Sequence, residues 1–461
     1  MREMLNIHIG QFGINLADQL WNQLYYEDIA ASEQQFLPPV ISSPLYSIND
    51  KNQFQANAIL CDLDDEAIRK VQKNDVYSIF GEDSIVYNIE GSGGLSTRAK
   101  YNTCRDLEKQ LRELIRHKTE KIDYYEGSIM YFSPCGGTGS GLTNVVKDSL
   151  YDTDNKAKNI AFQLFPSQNV ADSIVEPYNF MFSSSLLLER IDLSIFVTNE
   201  NASQILKLNR GIEMPKHEEV NRLYVEFLSN LTSSARYFGD TSSNRFSLDR
   251  LCQQQKPYPS IKSFSPSHYI QNEQQQLFNS TDYAQRQLIN TNNFNLGYYQ
   301  NSKDSEIEQR IIDISTFTRG SINKLSIIKE YNCLFQNVNS NIVPKLADQK
   351  SFSYYFSSQR APKYYRDVSS DLQEDTHSST SYLPSQEKFN FSTLSTSSNV
   401  ITVLQGIADK FDKLYEKKAF IHYFVGEGME SGEASETREL LQQMISDYEE
   451  VSKLEQIDID N

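Results

Sequence analysis

The stretch "PCGGTGSGLTN", Pro134 to Asn144, carries four glycines in residues 136–141, directly after the apolar run "SIMYF" and before "VVKDSL". The run is strand-sized and the pattern behind it is helical, so the glycines sit where a buried strand hands over to a helix. The first amides of a helix have no partner inside it, and its dipole is positive at that end. An anion can sit there if no side chain blocks its approach. The loop therefore reads as a phosphate cradle, to which the hydroxyls of Thr138 and Ser140 add donors. It lacks the Gly-Lys-Ser/Thr of the common P-loop and the Gly-x-Gly-x-x-Gly spacing of a dinucleotide fold. The competing reading is a plain flexible glycine turn.

The first 230 residues repeat one theme. Strand-sized runs "LNIHI" (5–9), "AILCDL" (58–63), "SIMYF" (128–132), "IAFQLF" (160–165) and "LSIFV" (193–197) alternate with amphipathic stretches such as "CRDLEKQLRELIRH" (104–117). That alternation predicts an α/β fold, a mostly parallel sheet with helices on its faces. From about Ser265 Gln, Asn and Ser replace the clean apolar runs, and a second domain is expected to begin there. The segment 357–399 is polar enough to contain a long surface loop. Beyond it, "VLQGIADKFDKLYEKKAFIHYF" and "SETRELLQQMISDYEEVSKLEQ" read as two long helices. The expected divisions are 1–200, 201–264 (a core helix and connecting loop), 265–400 (an α+β domain) and 401–461 (the helical pair with a short tail).

A net charge of −17 argues against a nucleic-acid-binding surface, because phosphate backbones reward clustered Lys and Arg. The five cysteines are scattered singly, without metal spacing, which suits a reducing compartment and a cytosolic address. No signal peptide and no membrane span are expected.

A second glycine turn, in "IHIGQFGINLADQLW", places Gly10, Gln11 and Gly13 at the start of a helix. Two such turns at parallel strand ends could hold one polyphosphate between them. At the end of "AILCDL", Asp62 and Asp64 could project carboxylates toward the same sheet edge, and phosphate-bound Mg²⁺ takes one or two carboxylates plus water. An Asp-rich helix N-cap explains them equally well.

These residues carry a family resemblance. "CGGTGSG" matches six of the seven positions of the tubulin signature Gly-Gly-Gly-Thr-Gly-Ser-Gly, with Cys135 in the first slot. "MREMLNIHIGQFGINLADQLW" resembles the tubulin N-terminus, "VEPYN" (175–179) is a tubulin string, and "FVGEGMESGEASETRELLQQMISDYEEV" (424–451) resembles alpha-type C-terminal helices. The resemblance runs from Met1 to about Val451, and is faint between about Ile261 and Lys410. It implies a Rossmann-like GTP-binding domain, an intermediate α+β domain and a C-terminal helical pair, with GTP or GDP and Mg²⁺ as cofactors. By resemblance, Gly10 and Gln11 face the phosphates, and Gly136, Gly137, Thr138, Gly139, Ser140 and Gly141 wrap them. Phe12, Asn15 and Ser133 join the nucleotide contacts. Asp64, one methylene shorter than the family's Glu, stands near the magnesium, acting through water, with Gln11 beside it. Asp172 and Glu176 match the ribose-contacting loop. Asn199 and Asn221 match the two asparagines that hydrogen-bond guanine. His217 takes the place of a Tyr that stacks on the base, offering less area.

Two departures from the family pattern bear on hydrolysis of GTP to GDP and phosphate, which the family couples to assembly. The loop that helps sense the γ-phosphate normally reads Asn-Asn-Tyr-Ala-Arg; here "GLSTR" puts Gly94 and Leu95 in the asparagine slots and keeps Arg98. In "FSLDRLCQQQKPYP", Arg250 occupies the slot of the alpha-type catalytic Glu, with Asp249 beside it. Beta tubulins also carry a basic residue there, so the C-terminal helices look alpha-like and the catalytic loop beta-like. The chain also stops soon after "SKLEQIDIDN" begins, without a long glutamate-rich tail, which predicts weaker recruitment of basic microtubule-associated partners. Resemblance thus points to a divergent tubulin partnered by other tubulin subunits, in microtubules or in a ciliary or basal-body structure. The alternative is a GTP-binding end-capping or regulatory protein that does not self-polymerise, its polar segment 265–350 weakening lateral contacts. A dinucleotide oxidoreductase on a related sheet is the reading from another class, and the missing glycine spacing counts against it.

Overall fold

The computed structural model describes residues 2–33, 43–48, 54–167, 173–237, 246–254, 260–268, 295–297, 311–320, 352–357, 389–430 and 432–453. Asp172, most of the segments 265–350 and 357–399, and the tail after 453 lie outside the described residues.

Strands β1 (Glu3–Ile9), β4 (Ala58–Asp62), β6 (Tyr125–Phe132), β7 (Lys158–Leu164) and β8 (Leu193–Val197) correspond to the five apolar runs. They are parallel, in the order β8-β7-β6-β1-β4, and β5 (Ile85–Tyr87) extends the β4 edge; β2 (Tyr46–Ile48) and β3 (Phe54–Ala56) form a separate antiparallel pair, and α3 is the short helical turn Ser96–Arg98. Ile7 lies opposite Ile59 on one side and Met130 on the other. Two-sided burial explains why these runs are mostly apolar, and it extends to the polar residues within them, such as Asn6, His8, Gln163 and Ser194. Leu5, Ile7 and Ile9 of β1 pack into one core cluster, and Met4 on the opposite face packs into the other. The first cluster is completed by α4 (Arg105–Lys121), α5 (Gly137–Thr153) and α6 (Glu176–Glu189), and the second by α1 (Gly10–Glu33), α2 (Glu66–Val71) and α8 (His217–Arg236).

The sheet does not stop where the composition changes. β9 (Ser263–His268) pairs in parallel with β8 through Ser263 and Phe264, and antiparallel with β12 (Phe389–Ser397) through its other four residues. β10 (Ile311–Gly320) and β11 (Phe352–Ser357) follow, giving ten strands in the order β11-β10-β12-β9-β8-β7-β6-β1-β4-β5. Ile312, Phe317, Tyr355, Phe391 and Leu394 are buried, so the polar composition still supplies a core row.

At the C-terminus the first expected helix is two. α10 (Asn399–Glu416) buries Val403, Leu404, Ile407, Ala408 and Phe411, and ends before Lys418 and Phe420, both left-handed. α11 (Ile421–Gly426) starts after Phe420, and the carbonyl of Ala419 accepts the Tyr178 hydroxyl at 2.7 Å. No Gly or Pro marks this break; it is made by tertiary contact. α12 (Glu433–Lys453) packs against α6 and α10.

Candidate functional site

The parallel strands end along one edge, where the glycine turns meet. β1 passes into α1 with no intervening residue, which Gly10 permits with φ +70°, a conformation that side chains rarely adopt. A Cβ on Gly10 would stand 3.4 Å from the Gly139 amide nitrogen and 3.5 Å from Cβ of Thr138, so the two turns are in contact. His8 fixes the first turn from below. It stacks on Tyr131 at 4.4 Å, donates from Nδ1 to the Gly13 carbonyl (3.1 Å) and accepts at Nε2 from the Trp21 indole (3.1 Å). Full burial pushes its pKa down to about 3, so the imidazole is neutral.

The four glycines of the second turn differ in purpose. A Cβ on Gly139 would lie 2.2 Å from the Ser133 carbonyl oxygen. On Gly137 it would lie 2.5 Å from Oγ of Ser92, and on Gly141 2.4 Å from Cβ of Ala99. At Gly136, the residue capping α5, a Cβ would meet nothing within 4 Å. Three glycines therefore admit the protein's own backbone, and the fourth opens onto free space. Ser140 turns its hydroxyl back to the Gly136 carbonyl at 2.6 Å. Ser133 donates to the Leu164 carbonyl (3.2 Å) and accepts from the Cys135 amide (3.4 Å).

The chain that packs against Gly137 and Gly141 is the "GSGGLSTR" loop and the residues directly after it. Leu95 N donates to the Ser92 carbonyl (3.1 Å), closing a turn whose central residues Gly93 and Gly94 have φ of +58° and +75°. This is a type I′ geometry, which glycines at both central positions allow. Ser92 Oγ is 3.4 Å from Oγ1 of Thr138. Asn179, 1% exposed, braces the two loops together. Its Nδ2 donates to the carbonyls of Gly94 and Cys135, both at 2.8 Å, and its Oδ1 accepts from Ser96 N at 3.0 Å. Asn179 closes the "VEPYN" string, the one sequence signal that could have found it.

Asp62 ends β4 beneath Thr138. Burial pushes its carboxyl up to about 7, against hydrogen bonds from the amides of Leu63 and Asp64 and from the Thr138 hydroxyl. Asp64 is exposed, and one of its oxygens accepts from Glu66 N at 3.2 Å. These are hard oxygen donors of the kind Mg²⁺ takes alongside phosphate. Among the described residues, no group of three or more His, Cys, Asp or Glu could hold a metal by itself.

At the other end of the edge, α7 (Asn199–Arg210) follows β8, and Thr198 caps it by accepting from Asn201 N. Oδ1 of Asn199 accepts from the Tyr224 hydroxyl at 3.2 Å, and Phe12 meets the Tyr224 ring edge-on at 6.4 Å. Asn221 is buried one turn before Tyr224, His217 is exposed at the start of α8, and Gln11 and Asn15 are exposed and half-buried on the first turns of α1. Glu176 is buried at the start of α6 and accepts from Ser173 N at 3.0 Å.

Residues 3–207 match the family model described as Tubulin/FtsZ family, GTPase domain. Similar proteins include "Tubulin alpha chain" of Pneumocystis carinii, 25% identical over 98% of this chain and 97% of the relative. "Tubulin alpha chain" of Dictyostelium discoideum is 27% identical and "Tubulin alpha-3 chain" of Zea mays 26%, both with the same coverage. Residues 3–207 thus form a GTPase domain of the Tubulin/FtsZ family, which implies binding of GTP or GDP, and the similarity to alpha tubulins runs along nearly the whole chain.

Arg250 and Asp249 lie apart from the glycine turns, on α9 (Leu248–Gln254). The Arg250 guanidinium carbon lies 5.7 Å from the centre of the Tyr355 ring, in cation–π contact with β11. Asp249 accepts at its carboxylate from Gln253 Nε2 (2.8 Å), while its amide donates to Glu126 (3.3 Å). No helix among the described residues is long and apolar enough to cross a membrane.

Proposed function

We propose that this chain is a divergent, GTP-binding structural subunit of microtubules or of a specialised microtubule structure such as a cilium or basal body, partnered by other tubulin subunits in the cytoplasm. The observation that carries the reading is the contact between the Gly10 turn and the Gly136–Gly141 turn at one sheet edge, with Gly136 opening onto free space. The phosphates lie across these turns, against the amides at the starts of α1 and α5. Asp62 and Asp64 would hold Mg²⁺, partly through water, together with Gln11. Asn199 and Asn221 read the guanine, His217 stacks on it, and Glu176 with Asp172 holds the ribose. Mg²⁺ supplies charge neutralisation to the phosphates; the chain's own residues supply orientation.

A specific observation favours the alternative, an end-capping or regulatory role without self-polymerisation. A guanidinium has no acceptor with which to orient a water for attack on a neighbour's γ-phosphate, and that of Arg250 is engaged with Tyr355. A subunit of this kind leaves GTP unhydrolysed at that interface. Native extraction followed by nucleotide analysis tests the site, and finding neither GTP nor GDP, with none binding when added, refutes it. Co-sedimentation with microtubules, alone and with each conventional subunit, separates copolymerisation from end association.

A further inference from the structure

We infer that Tyr224 determines which nucleobase the site accepts, acting as a positioning residue through Asn199; the inference rests on the nucleotide reading above. Tyr224 is fully buried in α8, and its hydroxyl donates to Oδ1 of Asn199 at 3.2 Å. Its ring is set by Phe12 at 6.4 Å and Phe162 at 6.1 Å, both edge-on. A carboxamide presents an acceptor on one side and two donors on the other, and a free one can turn over to suit either kind of base edge. Asn199 is not free to turn. The phenol has no other hydrogen-bond partner among the described residues, so turning the amide over would let its oxygen accept from Nδ2 but would strand its O–H proton without an acceptor. Oδ1 therefore stays on the phenol.

What remains is Nδ2, which has no hydrogen-bond partner among the described residues and lies on the opposite side of the carboxamide from Tyr224. A fixed donor at the base position requires an acceptor facing it. Guanine and hypoxanthine present a carbonyl at carbon 6, whereas adenine presents an amino group there, and two facing donors each lose water without gaining a partner. The site is thus selective for 6-oxo purines, and the selectivity originates in a residue that does not itself touch the base.

The test is competition by GTP, ITP and ATP for the full chain, natural and carrying Tyr224→Phe, which keeps the buried ring. The ITP-over-ATP preference should fall roughly tenfold in the variant, the scale of one ordinary hydrogen bond. The GTP-over-ITP ratio, which reports the 2-amino group, should hold. In an Asn199→Ala background, Tyr224→Phe should have no further effect on the ITP-over-ATP ratio. Asn199→Asp, which offers only acceptors, should shift preference toward ATP and serves if Tyr224→Phe folds poorly. An unchanged ITP-over-ATP ratio in folded Tyr224→Phe overturns the inference, as does an equal effect in the Asn199→Ala background, which would mean that Tyr224 acts by packing. Natural protein that binds guanine nucleotide well but ITP no better than ATP overturns the inference and leaves the nucleotide reading standing. Natural protein that binds no purine nucleotide removes both.

Discussion

Gly136 and Gly139 are three residues apart in one turn, and exchanging each for a larger residue should give opposite phenotypes. A Cβ at Gly139 would stand 2.2 Å from the Ser133 carbonyl oxygen, against about 3.4 Å for ordinary contact, and the atoms it meets are all backbone. Relief requires the turn to move by about an ångström, and overpacking of this kind costs about 1–3 kcal/mol. For a domain of 150–250 residues each kcal/mol is about 2–4 °C, so Gly139→Ala should lower the melting temperature of nucleotide-free protein by about 2–12 °C. Gly136→Val meets nothing within 4 Å, and its φ of −79° and ψ of 154° suit a β-branched residue. The penalty there is the weaker N-cap, about 1 kcal/mol. Its isopropyl group instead occupies the space where phosphate would lie. The assay is thermal denaturation of nucleotide-free protein, with and without added GTP and Mg²⁺. Gly136→Val should melt within a few degrees of the natural protein and lose the GTP-induced rise; Gly139→Ala should melt early even without nucleotide. A full GTP-induced rise in Gly136→Val would show that the phosphates lie elsewhere. An unchanged melting temperature for Gly139→Ala would show that its glycine is not required by packing.

Glu27→Gln should destabilise the protein by about 3–5 kcal/mol in chemical denaturation, because it leaves the buried guanidiniums of Arg236 (2.8 Å) and Arg319 (2.9 Å) without their shared carboxylate; a loss below about 1 kcal/mol would contradict this. Burial alone would raise the pKa of Glu27, but those two arginines hold it down to about 2, so the group is charged at all ordinary pH. Lys118 donates to Ser84 Oγ at 2.6 Å, and burial pushes its pKa down to about 8. Between pH 8 and its unfolded value near 10.5 the unfolded chain binds the extra proton, so this group's contribution makes stability rise with pH across that window. Lys118→Met should therefore be more stable than the natural chain at pH 7, by at most about 3 kcal/mol, and the advantage should shrink toward pH 10; an advantage that grows with pH would reverse the assignment. Arg250→Glu should raise single-turnover GTP hydrolysis in a copolymer with a conventional beta-type subunit. Hydrolysis at the conventional rate in the natural chain, abolished by Asp249→Asn, would make Asp249 the activating residue.

The parallel strands were legible because a strand buried on both faces is mostly apolar, and five such runs stand out against a polar chain. The break at 417–420 was not, since it depends on Tyr178 reaching the Ala419 carbonyl from 241 residues away. The site divides in the same manner. Residues that act through backbone freedom leave a mark in the sequence, and the turns at Gly10 and Gly136–Gly141 were legible by theirs. The marks do not say what the freedom admits: only the packed structure separates Gly136 from the three neighbours that make room for Ser133, Ser92 and Ala99. Asn179 and Tyr224 act through hydrogen bonds to partners 44 to 85 and 25 residues distant, and a lone Asn or a helical Tyr announces nothing about such a partner.

The same limit hid the ionic cluster, and the cluster explains why the site edge can be held firmly by two helices. α1 begins at the Gly10 turn and carries Glu27 and Asp28 about five turns later; α8 begins at His217, near Asn221, the proposed base reader, and ends at Arg236. At these far ends Arg236 bonds Glu27 (2.8 Å) and Asp28 (3.2 Å), Ser229 donates to Glu27 at 2.8 Å, and Arg319 of β10 joins the same carboxylate. Hydrophobic contacts alone would tolerate sliding, because one methylene serves nearly as well as the next. Buried charges do not, since any displacement that separates them exposes the full cost of desolvation. The spacing between the Gly10 turn and the Asn221 face of α8 is therefore fixed at the end of each helix remote from the proposed nucleotide site, by residues that belong to no nucleotide motif.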